Sequence, residues 1–168
     1  MIEIINLTKH SNKKKIISDF SFSANKQECL GLFGKDPTVK TALLDLISGS
    51  SAPSSGHILI QNLNTKAHPL KTKKIIGYQR QRCLSHPTMS VKEFLDYMAT
   101  LRGLRGNEKR ARVEQVATQL ELLPVLNASL DVLSTGLKRK VAIAQAILHA
   151  PALLLLDEPT EGLTPDQK

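Results

Sequence analysis

The sequence predicts an α/β fold with a mostly parallel central sheet, an antiparallel β part at its N-terminus and a helical subdomain inserted before the last strand. Three observations carry this. Leu153-Leu-Leu-Leu is an uninterrupted apolar run ending in Asp157, as expected of a strand buried on both faces of a parallel sheet. Glu28–Phe33 is a compact apolar run followed by Gly34, and apolar residues then recur at helical spacing in Leu43, Leu44, Leu46 and Ile47, giving strand, loop and helix. Between Ser90 and Leu126 the pattern is helical throughout.

The elements follow in order. Ile2–Leu7 and Ile16–Ser23 read as two strands joined by a turn in the polar stretch His10–Lys15, an opening antiparallel pair. After the strand at 28–33 and the helix at 40–47, the Ser- and Pro-rich stretch Gly49–Gly56 is a loop. His57-Ile-Leu-Ile and Lys73–Tyr78 are two further short strands. Ser90-Val-Lys-Glu93 fits a capping box, in which Ser and Glu satisfy each other's backbone donors at a helix start. Val113, Val116, Ala117 and Leu120 mark a second helix, and Gly103 and Gly106 separate the two. Ser134 opens a third helix with Leu137, Val141, Ala144 and Leu148 on one stripe, which must stop before Pro151 because proline restricts its predecessor.

A chain of 168 residues suits one domain with a real core. With 41% apolar and 23% charged residues, nine Gly and eight Pro, it is neither collagen-like, low-complexity nor disordered. Two cysteines, Cys29 and Cys83, cannot build a disulfide framework or a zinc cluster, so a reduced compartment is expected. Glu3 and Asn6 break the early apolar run, so no secretory leader is expected, and Gln145, His149 and Pro151 interrupt Val141–Leu156, which is too short to span a bilayer. The net charge is +8, but the basic residues lie in short clusters and only four Phe and two Tyr are present. That composition favours a generally basic exterior over a base-stacking surface, and no nucleic-acid partner is expected.

Gly34-Lys35-Asp36-Pro37-Thr38-Val39-Lys40-Thr41 stands where a phosphate-binding loop would, between a buried strand and a helix N-terminus. Gly34, Lys40 and Thr41 hold three of the four fixed places of Gly-x-x-x-x-Gly-Lys-Ser/Thr, and Val39 replaces the second glycine; an accidental strand-turn-helix remains open on this loop alone. The stronger signal is Asp157-Glu158 at a strand tip, where one carboxylate can orient a hydrated Mg²⁺ and the other polarise an attacking water. Ser134 and Gly136 open a helix where backbone N–H groups and a hydroxyl can hold a phosphate, although on this segment alone an ordinary Ser cap with nothing bound is favoured, since Ser is among the commonest caps.

The order of these motifs resembles the ATP-binding subunit of ABC transporters, most of all those of ABC-2-type exporters. Ile75-Ile-Gly-Tyr, Ser90-Val-Lys-Glu-Phe-Leu, Leu101-Arg-Gly-Leu-Arg, Leu133-Ser-Thr-Gly and Leu153-Leu-Leu-Leu-Asp-Glu-Pro-Thr-Glu-Gly-Leu all fall in register. The resemblance implies a P-loop NTPase of ABC type as one incomplete domain, with a nucleotide-binding core at 1–83 and 141–168 and a helical subdomain at 84–140. It implies ATP and Mg²⁺ as ligands. Residues Gly34, Lys35, Asp36, Pro37, Thr38, Val39 and Ala42 would wrap the phosphates, Lys40 would bind the β- and γ-phosphates, and Thr41, Gln81 and Asp157 would serve the metal. Gln81 would also sense the nucleophile, and Glu158 would be the general base. Two such subunits dimerise head to tail in this family, so Ser134 and Gly136 would complete a partner's ATP site, while a membrane-spanning permease would hold the pair on the inner face of the cell membrane.

Several positions depart from the family pattern. Pro37 offers no N–H and Val39 is branched where close phosphate approach calls for glycine, a strain of about 1–3 kcal/mol if the usual backbone is kept. Ser11 stands where an aromatic would stack on adenine, Thr135 and Leu137 replace a glycine and a glutamine of the signature, and Thr164 replaces an aspartate. The family continues to a histidine that contacts the γ-phosphate, and none of the five histidines here follows Glu158. The expectation is weak ATP binding and slow or absent hydrolysis by this chain, or, as the other reading, a non-catalytic subunit that completes a paralogue's site in a heterodimer.

Overall fold

The computed structural model of the protein describes residues 1–11, 14–81 and 88–163, so Cys83 and Thr164 lie outside the described residues. The chain forms two compact units, Met1–Lys74 and Ile75–Lys168.

The N-terminal unit is built on a four-stranded antiparallel sheet in the order β2-β1-β3-β4: β1 Ile2–Ser11, β2 Lys14–Ala24, β3 Ser55–Ile60 and β4 Leu63–Asn64. The opening pair is the expected one, with Ile2 opposite Ala24 and Ser11 opposite Lys14. Alternation puts Ile2, Ile4, Ile58 and Ile60 on one buried face. The β1–β2 register is irregular between Ile4 and His10; in this region Asn6 and Asp19 adopt positive φ, while Ser21 Oγ accepts the Asn6 N–H and Thr8 Oγ1 accepts the Asp19 N–H. Helix α1 spans Pro37–Ile47 and buries Leu43, Leu44, Leu46 and Ile47. The unit closes with helix α2, Pro69–Ile75, which runs to the boundary.

One expected element is absent. Residues 28–33 form no strand; the segment is irregular and exposed, with Leu30 55% and Phe33 97% accessible. Its apolar composition favours a strand, but a strand exists only where neighbouring backbones satisfy its N–H and C=O groups, and among the described residues none is paired with it.

The C-terminal unit contains the parallel pair β5 Ile76–Gln79 and β6 Leu153–Leu156, in register from Ile76 opposite Leu153 to Gln79 opposite Leu156. The last strand is not buried on both faces as expected: Leu155 is buried, whereas Leu154 is 40% exposed because β6 has only β5 beside it among the described residues. Helices α3 Val91–Leu101, α4 Gly106–Gln119 and α5 Thr135–Ile147 supply the unit's main core, in which Val91, Leu95, Val116, Leu122, Val141 and Leu148 are fully enclosed. Each such side chain stabilises the fold by about 1.5–3 kcal/mol relative to exposure. The predicted capping box forms, with the Ser90 N–H donating to Glu93 Oε2 at 2.8 Å and the Glu93 N–H to Ser90 Oγ at 3.2 Å. Gly103 does separate α3 from α4, whereas Gly106 is the first residue of α4. No helix among the described residues is long and apolar enough to cross a membrane.

Candidate functional site

The expected phosphate loop is only partly a loop. Gly34, Lys35 and Asp36 precede helix α1, but the helix starts at Pro37, so Pro37, Thr38, Val39, Lys40, Thr41 and Ala42 lie in its first turns. The local sequence explains this. Asp is a strong N-cap and Pro is favoured at the first helical position, where its fixed φ suits the helix and its missing N–H leaves no intrahelical bond unmade. Asp36 Oδ1 accepts the Thr38 N–H at 2.8 Å, and Val39 has an ordinary helical φ. The strain expected at Val39 is therefore not incurred, because the conformation that would strain it has been replaced by helix. The Thr38 backbone N–H, then its side chain, hold the exposed Asp36 carboxyl below its ordinary range.

Beside this helix start lies a cleft of about 440 Å³, lined by Ile17 and Phe20 of β2, Leu32 and Phe33 of the irregular segment, and Lys35, Asp36, Val39, Lys40 and Leu43. The lining is mostly apolar, and its charged members are Lys35, Lys40 and Asp36. Ser11 ends β1 and is exposed.

In the C-terminal unit, β6 delivers Asp157 and Glu158. Asp157 is 4% exposed; its N–H donates to the Gln79 carbonyl at 3.0 Å and its own carbonyl accepts Gln79 Nε2 at 3.1 Å. Gln79, itself fully buried, thereby ties the strand end to β5. Glu158 is exposed and sits at φ 51°, a left-handed conformation that costs a glutamate of the order of 1 kcal/mol and turns the chain out of the strand at this residue.

Helix α5 backs this end of β5. Gln145 Nε2 donates to the Tyr78 carbonyl at 2.9 Å, His149 Nε2 hydrogen-bonds the Ile76 carbonyl at 3.1 Å, and Gly77 lies so close to the Ala146 carbonyl that no Cβ would fit. Ser134 caps α5 through its Oγ, which accepts the Leu137 N–H at 3.3 Å, and Gly136 is buried in the first turn. Gln81 is exposed, and its Nε2 donates to Glu161 Oε2 at 3.1 Å. Arg139, 6% exposed, donates to the same Glu161 oxygen at 2.7 Å and to the Gln81 carbonyl at 3.2 Å. The structure thus brings Gln81 together with Arg139 and Glu161, two residues that sequence reasoning missed. Gln79 was missed as well. Its place at a strand end was readable, but its contact with Asp157 depends on the β5–β6 register.

The donor set bears on the ligands it could hold. In the C-terminal unit Gln81 and Asp157 offer an amide oxygen and a carboxylate, and in the N-terminal unit Thr41 offers a hydroxyl; each taken alone is a hard oxygen donor of the kind Mg²⁺ accepts. Among the described residues no group of three His, Cys, Asp or Glu could hold a metal by itself. A phosphate at the start of α1 meets a different situation. Pro37 has no N–H to give, and the Thr38 N–H already serves Asp36, so a phosphate there would compete with the Asp36 carboxylate for that donor.

A family model described as ABC transporter matches residues 17–161. Linearmycin resistance ATP-binding protein LnrL of Bacillus subtilis (strain 168) is 31% identical over 168 residues, all of this chain and 54% of its own length. ABC transporter ATP-binding protein NatA of the same organism is 34% identical over 157 residues, 90% of this chain and 63% of its own. The chain therefore spans between half and two thirds of these relatives. A solved ATP binding subunit of an ABC transporter superposes with a TM-score of 0.88 at 25% identity, over 99% of this chain and 69% of that one. The dimeric bacterial ABC transporter cassette MJ0796 has the same fold, with a TM-score of 0.88 at 24% identity, over 99% of this chain and 78% of that one.

Proposed function

The chain belongs to the ABC transporter family, and from that membership we propose that it is the ATP-binding part of a membrane exporter, one that binds nucleotide weakly and hydrolyses it slowly or not at all. Lys40 meets the β- and γ-phosphates at the start of α1. Thr41, Gln81 and Asp157 would hold Mg²⁺, whose charge would offset that of the phosphates. Glu158, exposed at the tip of β6, accepts the proton of the attacking water, and the buried Asp157 beside it stays fixed through Gln79. Ser134 and Gly136 serve the ATP site of a second subunit, and a permease couples the closure of the two to transport at the inner face of the membrane. This reading is supported by the family match across 17–161 together with the carboxylate pair at the strand end.

The weakness is carried by one observation, the Asp36 carboxylate bonded to the Thr38 N–H. That contact places a fixed negative charge where an incoming phosphate needs a donor, at the helix end whose dipole favours a single anion. The same observation supports a second reading, in which this chain contributes only Ser134 and Gly136 to a competent paralogue. Phosphate release measured beside a Glu158→Gln variant tests the first reading: turnover equal to that variant is expected of the chain alone, and turnover well above it overturns the claim of impairment. Copurification from native membranes, probed for a permease and a second ATP-binding subunit, tests the partners. Recovery of neither counts against both readings.

A further inference from the structure

Gln81 is held at both ends. Its backbone carbonyl accepts Arg139 Nη1–H at 3.2 Å, and its side-chain Nε2 donates to Glu161 Oε2 at 3.1 Å. The same Oε2 accepts Arg139 Nη2–H at 2.7 Å, and the Glu161 carbonyl accepts Arg139 Nε–H at 3.4 Å. One buried guanidinium thus binds Gln81 and Glu161 together through three of its donors, a task that a lysine, with one flexible ammonium, could not match. One helical turn before Arg139, Thr135 packs on Gly162, where a Cβ would strike its side chain, so α5 grips two successive residues of the turn that follows Glu158.

We infer that Arg139 and Glu161 are positioning residues that fix which end of the Gln81 amide is presented. An ionised carboxylate only accepts hydrogen bonds, so Glu161 can face only the NH₂ group of Gln81. The amide oxygen is then the end left for other partners. That oxygen is a hard ligand of the kind a divalent cation accepts, whereas an NH₂ group is not. The Arg139–Glu161 pair therefore keeps Gln81 in the orientation that metal binding needs, through its bonds to the Gln81 carbonyl and amide nitrogen. This inference rests on the proposed role of Gln81 at the nucleotide site.

The test compares the affinity of the full chain for a fluorescent ATP analogue in Mg²⁺ and in EDTA, for the wild type, Glu161→Gln, Arg139→Lys and Gln81→Ala. In Glu161→Gln the substituted amide can offer either a donor or an acceptor and no longer selects the orientation of its neighbour. The gain in affinity given by Mg²⁺ should fall by at least about threefold in Glu161→Gln and Arg139→Lys, whose metal-free affinity stays within about twofold, and vanish in Gln81→Ala. An unchanged Mg²⁺ gain in Glu161→Gln would overturn the inference. So would an equal fall of both affinities, which marks a latch that only holds the turn in place. Wild-type binding without any Mg²⁺ gain removes this inference and leaves the nucleotide-binding proposal standing, whereas no binding in either condition removes both.

Discussion

The carboxylate of Asp36 accepts the backbone N–H of Thr38 at 2.8 Å, so the start of helix α1 is capped by the chain's own anion. An N-cap and a bound phosphate compete for the same donors and the same end of the helix dipole. The contact therefore links two features that look separate in the sequence, the Asp-Pro start of the helix and the loss of glycines from the phosphate loop.

Replacing Pro37 and Val39 together by glycine should move stability and nucleotide affinity in opposite directions. Glycine in a helix costs roughly 0.5–1 kcal/mol relative to better formers, so the melting temperature should drop by a few degrees. The loosened first turn can open into a phosphate-accepting loop, and affinity for a fluorescent nucleotide should rise severalfold. Thermal melts and nucleotide titrations of the same preparations check this, and a fall in both quantities would contradict it.

His149 gives the fold a defined acid sensitivity. Burial first, and then the charge of Arg102, lower its pKa from the ordinary 6.5, with Arg112 adding to the effect and the bond to the Ile76 carbonyl opposing it. The unfolded chain therefore takes up a proton near pH 6.5 that the folded chain refuses, and stability should be full above that value and fall as the pH drops from 6.5 toward the lowered folded pKa. Denaturant midpoints measured from about pH 7.5 to 5 should slope less in His149→Gln than in the wild type; parallel slopes would show that His149 is not responsible.

Gly77 lets α5 lie directly on β5. A methyl group there meets the Ala146 carbonyl and the Pro151 ring, and neither can retreat without shifting the helix. Gly77→Ala should cost about 1–3 kcal/mol, read as a lower denaturant midpoint with an unchanged slope. Stability equal to the wild type would mean that the helix stands farther from the strand than the structure has it.

Much of this was legible in the sequence because it is local. The Ser90–Glu93 box, the Ser134 cap, the β1–β2 pair and the strand ending at Asp157 each announce themselves within a few residues, and each is found. The start of α1 was equally local, since Asp followed by Pro is a helix-start signal, but the similarity to a phosphate loop pointed the other way and the cap prevailed. The strand expected at 28–33 failed for a different reason: apolar composition reports a preference for burial, and only a neighbouring strand can turn that into a sheet. The Arg139–Glu161–Gln81 cluster joins residues far apart in the chain, and no periodicity or motif signals such a meeting.

Removing the Asp36 carboxylate is the most direct trial of the central claim that this chain blocks its own phosphate position. Glycine serves well as an N-cap, so Asp36→Gly takes away the charge with little harm to α1. The affinity of this variant for a fluorescent ATP analogue should exceed that of the wild type by about three- to tenfold, with Asp36→Asn in between. Equal or weaker binding by Asp36→Gly, with its melting temperature preserved, would show that the carboxylate does not stand in the nucleotide's way.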